Sequence, residues 1–117
     1  MKHGWLAVVV IATFGVATVA AQERARERAD AGRVVFMEQG CHGCHTVLKL
    51  GTPIGPDLSH VGTKYSPTYL RRWLEDPQMQ RPSAHMPRLE LTDRQIELLA
   101  SFLQSLDQPP TRFRDPT

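Results

Sequence analysis

Both cysteines of this chain fall within five residues, Cys41-His42-Gly43-Cys44-His45, and the other residues of the 117 include none. Two thiols cannot build the disulfide framework that staples small exported domains, and they cannot alone make a four-ligand structural zinc site. The length bounds the chain to one domain, since domains usually run to about 100–150 residues. A large enzyme, a repeat array and a multi-span membrane protein are excluded. The apolar share of 41% is ordinary, but it is unevenly placed. Trp5 to Ala21 is almost all apolar and small, which leaves the remainder near the size at which one hydrophobic core needs extra material.

That first segment has the order of an export signal: Lys2 and His3, an apolar run from Trp5, then the small residues Val19-Ala20-Ala21. Residues 1–21 are therefore expected to be a signal peptide cleaved before Gln22. The alternative is a retained anchor over residues 5–21, short against the roughly 20 residues of a usual span. Arg24, Arg26 and Arg28 follow directly, and the positive-inside tendency would place such charges in the cytoplasm, which favours cleavage. Either way the rest of the chain is expected on the periplasmic side, free or held to the inner membrane. Residues 22–29 mix charge signs, as a charged linker or helix extension does. The net charge is only +2, with no long basic stripe interleaved with aromatics, so nucleic acid is a poor partner.

Three helical stretches follow. The first is expected from about Asp30, as cap, to Gln39, with Val35 and Phe36 on its apolar side and Gly40 ending it. Ser66-Pro67 starts the second, with Leu70, Trp73 and Leu74 on one face and Pro77 as its stop. Thr92 and Gln95 form a capping box for the third, Leu91 can staple onto Ile96, and Ile96, Leu99, Ala100, Leu103 and Leu106 give one apolar stripe. Between them lie two long loops, Thr46 to Tyr65 and Pro77 to Leu91, and 109–117 reads as a flexible tail. No segment has strand period, so the domain is expected to be all-α. Loops of that length inside a small domain need a reason, and a large apolar ligand that they wrap is one.

The C-x-x-C-H pentapeptide supplies the candidate ligand. Its spacing is that of c-type haem attachment: two thiols reach the two vinyl groups of one porphyrin, and the adjacent His45 meets the iron. A thioredoxin-like redox pair would want a strand before Cys41, and none is expected. Zinc bound by Cys41, Cys44 and two histidines such as His60 or His85 fits no compact finger spacing. A disulfide in so small a loop would stabilise little.

Cys41 to His45, preceded by Gly32 and Phe36 and followed by Gly55-Pro56-Asp57-Leu58, the pair Met86-Pro87 and a C-terminal amphipathic helix, resembles the class I cytochrome c family. The resemblance covers about Asp30 to Leu106 and implies a cytochrome c domain over 30–108, with three to four helices and long loops around one covalent haem c. It implies that the first and last helices cross, with Gly32 and Phe36 against Leu99, Phe102 and Leu103. It also implies that His45 and Met86 are the iron's axial ligands, that the Pro56 carbonyl accepts the His45 ring N–H, and that Leu58 packs on the porphyrin. Met79, His85 and, more remotely, His60 remain as alternative distal ligands, and Met37 stands too near Cys41 to reach the far face. Trp73 and Tyr65 could reach haem propionates, or simply pack. Arg71, Arg72 and Arg88 could face a partner or a propionate.

A six-coordinate iron leaves no open site for substrate, so the expected function is electron transfer between periplasmic or respiratory-chain redox proteins, without catalysis. Two alternatives stand beside it. One is a membrane-anchored haem-c subunit of an oxidase or reductase. The other is a gas sensor or small peroxidase with a labile distal ligand.

Overall fold

No proline interrupts the chain between Gly4 and Glu38, and alanine, glutamate, glutamine and arginine, all good helix formers, fill the charged stretch. The computed structural model, which describes residues 4–106 with side chains from Gly15 onward, accordingly carries one long helix, α1, over Gly4–Glu38. The expected start at Asp30 is thus corrected: Asp30 lies within the helix, and residues 22–29 extend it. The tail expected at 109–117 lies outside the described residues. Gly40, at φ 73°, ends the helical run in the left-handed conformation that glycine adopts without strain.

The next segment is less loop-like than its glycines and prolines imply. Cys41–Gly43 forms a 3₁₀ turn, and a short hairpin pairs β1 (Thr46–Val47) with β2 (Leu50–Gly51) in antiparallel register, Thr46 opposite Gly51 and Val47 opposite Leu50. Its turn residues Leu48 and Lys49 both have positive φ, the geometry that matches strand twist in a two-residue hairpin but is uncommon for such side chains. The buried Ser59 helps to hold it, its Oγ accepting the Leu48 N–H at 2.8 Å. These strands escape sequence reading because two residues cannot show a period.

Five α-helices, not three to four, occur among the described residues, and the added ones are single turns. They are α2 (Val61–Lys64), inside the first expected loop, and α4 (Pro77–Gln80), inside the second. Ser66 caps α3 (Pro67–Glu75) by accepting the Tyr69 N–H, with Pro67 at the first helical position. Asp76 then ends α3 and caps α4, and Pro77, the expected stop, also opens the next turn. α5 (Asp93–Ser105) begins at the full Thr92/Gln95 capping box.

The core lies where α1 crosses α5. Phe36 meets Phe102 edge to face, ring centroids 5.4 Å apart, and Leu99 is fully buried. The helices approach so closely that a β-carbon on Gly32 would overlap the Leu98 carbonyl oxygen, so only glycine fits there. Leu70 and Leu74 of α3, Val61 of α2 and the α5 stripe Ile96, Leu99, Ala100, Leu103 and Leu106 complete the same cluster.

Candidate functional site

The helical turn after Gly40 sets the geometry of the pentapeptide. The N–H groups of Cys44 and His45 both bond to the Cys41 carbonyl, at 3.2 and 3.0 Å, so the first thiol, the second thiol and the imidazole follow one another round a single turn. Residues three and four apart on a turn share a face. In the free chain, burial pushes the Cys41 thiol pKa up, partly offset by a backbone hydrogen bond. Cys44 is exposed.

The chain then folds back along that turn. The N–H groups of Ile54 and Gly55 donate to the Cys44 carbonyl and that of Thr52 to the His42 carbonyl. This return places the Pro56 carbonyl oxygen 2.7 Å from His45 Nδ1. A carbonyl can only accept, so Nδ1 carries the proton and Nε2 keeps its lone pair free. Gly55 makes the approach possible: a β-carbon there would stand 2.8 Å from Cε1 of the His45 ring. The family resemblance pointed to Pro56, while the reason for the glycine before it emerges only in three dimensions.

Beyond His45 opens a cavity of about 200 Å³. Phe36, Leu58, Val61, Leu70, Leu74, Leu99 and Leu103 give it apolar walls, and Cys41, His45, Pro56 and Met86 line it as well. Met86 is half-buried, and its Sδ accepts the Trp73 indole N–H at 3.1 Å. The structure thus brings Cys41, His45, Pro56, Leu58 and Met86 to one space. Met79 is 78% exposed, and neither it nor the exposed His60 and His85 lines the cavity. Tyr65 and Trp73 both line it, the indole N–H directed to sulfur. Arg71 is bound instead to Glu97 at 3.2 Å, and Arg88 stands 3.8 Å from Asp76. The cations that do line the cavity are Lys64 and Arg81, which no local pattern singles out.

An apolar cavity holding a free imidazole nitrogen and a thioether, beside a turn with two thiols, has the donor set of a c-type haem domain. The family model described as Cytochrome c matches residues 29–107, and the chain belongs to the cytochrome c family. Membership carries covalently bound haem c and haem-based electron transfer, and the cavity fits that group in apolarity and donors. The chain is also similar to components of respiratory enzymes. It is 31% identical to cytochrome c oxidase subunit 2 of Alkalihalophilus pseudofirmus, over 73% of this chain and 28% of that protein. It is 27% identical to a nitric oxide reductase subunit from Stutzerimonas stutzeri, over 69% of this chain and 64% of the relative. The corresponding nitric oxide reductase subunit from Paracoccus denitrificans is 31% identical, over 62% and 54%. The chain thus spans less than two thirds of each of these relatives. Among the described residues, no helix is long and apolar enough to cross a membrane.

Proposed function

We propose that this domain carries electrons one at a time through a single haem c, attached by thioethers to Cys41 and Cys44, with His45 and Met86 as axial ligands of the iron. The observation that carries the reading is convergence: His45, its Nδ1 committed to Pro56, and Met86 line one cavity, while Met79, His60 and His85 do not. When bound, the haem supplies an iron that cycles between Fe(III) and Fe(II). The chain's residues set the terms of that cycle. Pro56 and Gly55 fix the imidazole plane and leave Nε2 as the donor, which also tunes its basicity. The Trp73 N–H fixes the Met86 side chain. A thioether favours Fe(II) relative to a second imidazole, and the apolar walls disfavour the extra charge of Fe(III), so both raise the potential. With both axial positions filled the domain has no place for a substrate, which makes it a carrier.

Absorption spectroscopy tests the ligand set. The oxidised protein is expected to show the weak sulfur-to-iron charge-transfer band, lost in Met86→Ala and kept in Met79→Ala. A band that survives the first change and vanishes in the second transfers the ligand to Met79. No band, with ready carbon monoxide binding by the reduced protein, favours the sensor or peroxidase alternative.

A second reading keeps the chemistry and fixes the partner. The similarity to oxidase and nitric oxide reductase subunits favours a domain that passes electrons within such a complex, at the periplasmic face of the inner membrane. The mass of the native protein separates the two. An N-terminus at Gln22 supports the free periplasmic carrier, and retention of residues 5–21 supports the tethered form.

A further inference from the structure

Residues 22–29 carry three arginines and two glutamates, and α1 sorts them by face. Arg24, Arg26 and Arg28 line a groove of about 780 Å³ between α1 and the α3–α5 pair, and Glu23 and Glu27 do not. Arg71 of α3 and Glu97, Ser101 and Ser105 of α5 stand on its other side. Arg71 and Glu97 already pair with each other at 3.2 Å. The other ion pair among the described residues is Arg88–Asp76, so the three α1 arginines meet the groove without a carboxylate partner. The chain's net charge is only +2, which makes this a local concentration of charge. On the α5 wall both hydroxyl protons are committed: Ser101 Oγ donates to the Glu97 carbonyl at 2.9 Å and Ser105 Oγ to the Phe102 carbonyl at 2.6 Å. Their oxygens can therefore only accept. A simple anion answers only the cationic wall. A polypeptide with acidic side chains answers both, through its carboxylates and its backbone N–H groups. The spacing agrees. Arg24 and Arg28 stand four helical residues apart, about 6 Å along the axis, as do Ser101 and Ser105. In an extended chain alternate side chains share a face at about 6.6 Å.

We propose that this groove holds an extended acidic segment of a partner protein, with a carboxylate at every second residue reaching Arg24 and Arg28 and backbone N–H groups donating to Ser101 and Ser105. Leu99 and Leu103, on the other face of α5, line the cavity beside His45. A segment held in the groove therefore binds the domain from behind and leaves the cavity side free for electron exchange. The attachment is independent of the axial ligand set. It needs neither Met86 nor the residues before Gln22, of which only Ala21 lines the groove.

Titration of the reduced, haem-loaded protein with a synthetic peptide of four Glu-Ser repeats at low salt, followed by nuclear magnetic resonance, tests it. Saturable shifts are expected at Arg24, Arg28, Ser101 and Ser105, and none with the peptide that has glutamine in place of glutamate. Arg24→Gln with Arg28→Gln is expected to weaken binding about tenfold, since two exposed ion pairs are lost. Lys49→Gln with Arg88→Gln removes the same charge elsewhere and is expected to change it by less than about twofold. Ser105→Asp places a carboxylate on the other wall and is expected to weaken binding too, which keeps the test open if the double arginine variant does not fold. Equal losses in the two charge-removed proteins, or shifts centred on Lys64 and Arg81 at the cavity, overturn the groove as the site. Inorganic phosphate or phosphatidylglycerol vesicles that shift the groove resonances while the peptide does not overturn a protein partner. The absorption spectrum of the same sample reports the haem reading separately, so failure of either is seen apart from the other.

Discussion

Where α1 crosses α5 the packing comes from the two helices themselves: Leu99 is fully buried, Phe36 and Phe102 interlock, and Gly32 brings two backbones into contact, with Phe36 and Leu99 also walling the cavity. The segment from Cys41 to Leu91 instead turns half-buried Cys41, Leu58 and Met86 toward an open cavity, and its regular structure comes in pieces of two to nine residues. The difference shows what each half relies on. The crossing has its core in the sequence, and the cavity half has a gap where a large apolar group supplies the missing contacts.

The largest effect should therefore come from removing the covalent haem, by Cys41→Ala with Cys44→Ala. The α1–α5 crossing is expected to keep much of its helical far-ultraviolet circular dichroism. The near-ultraviolet signal of the Tyr65, Tyr69 and Trp73 stack should collapse, as the cavity half loses fixed packing. An unchanged near-ultraviolet spectrum would remove the distinction between the halves.

Two glycines sharpen the same contrast. Gly32→Ala forces a methyl group against the Leu98 carbonyl, and neither backbone can yield without parting the helices, so a loss of about 3 kcal/mol in denaturant unfolding is expected. Gly55→Ala meets the edge of the His45 ring, which can pivot. There the cost in stability should be about 1 kcal/mol, and the visible spectrum should report it more sensitively than the melt.

How much of this was legible in the sequence follows the same division. The crossing could be read almost residue by residue, because the Thr92/Gln95 box and the Ile96 to Leu106 stripe are local signals of helix start and buried face. Gly40 as the end of α1 was equally legible, whereas its beginning was not. Helix formers run on through residues 22–29 with no stop signal, so the expected boundary at Asp30 had nothing to enforce it. In the cavity half the pentapeptide, Pro56 and Met86 stood out as motif residues. The Trp73 N–H on the Met86 sulfur did not, nor did the Ser59 anchor of the hairpin turn, since both join residues more than ten positions apart. Such contacts belong to the folded chain and leave no local pattern.

A smaller effect is expected at the α5 start. Thr92 accepts the Gln95 N–H at 3.2 Å, and the Gln95 side chain takes the Thr92 N–H at 2.9 Å. Thr92→Ala should cost about 1 kcal/mol of stability at the crossing and leave the haem spectrum unchanged. A shift in the visible bands would mean that the two halves are coupled more tightly than their packing indicates.

The smallest effect lies in the cavity half and depends on pH. Asp57 accepts hydrogen bonds from the Ser59 hydroxyl at 2.5 Å and the Ser59 N–H at 2.8 Å, and these, the hydroxyl first, lower its carboxyl pKa. A carboxylate whose folded pKa is depressed contributes stability that is fully present above its unfolded value, about 3.9, and is lost as pH falls through the folded value. Asp57 is exposed, so water screens the interaction and the contribution is small. Asp57→Asn keeps an acceptor for Ser59 but cannot titrate. Its stability curve should be flatter than the wild type's below about pH 4 and parallel to it above. Because Ser59 also holds the Leu48 N–H, the acid loss should appear first as hydrogen exchange in the Thr46–Gly51 hairpin, with exchange across α5 unchanged. Equal exchange gains in both places would show that acid opens the molecule as one unit, and the contrast between its halves would fail at that point.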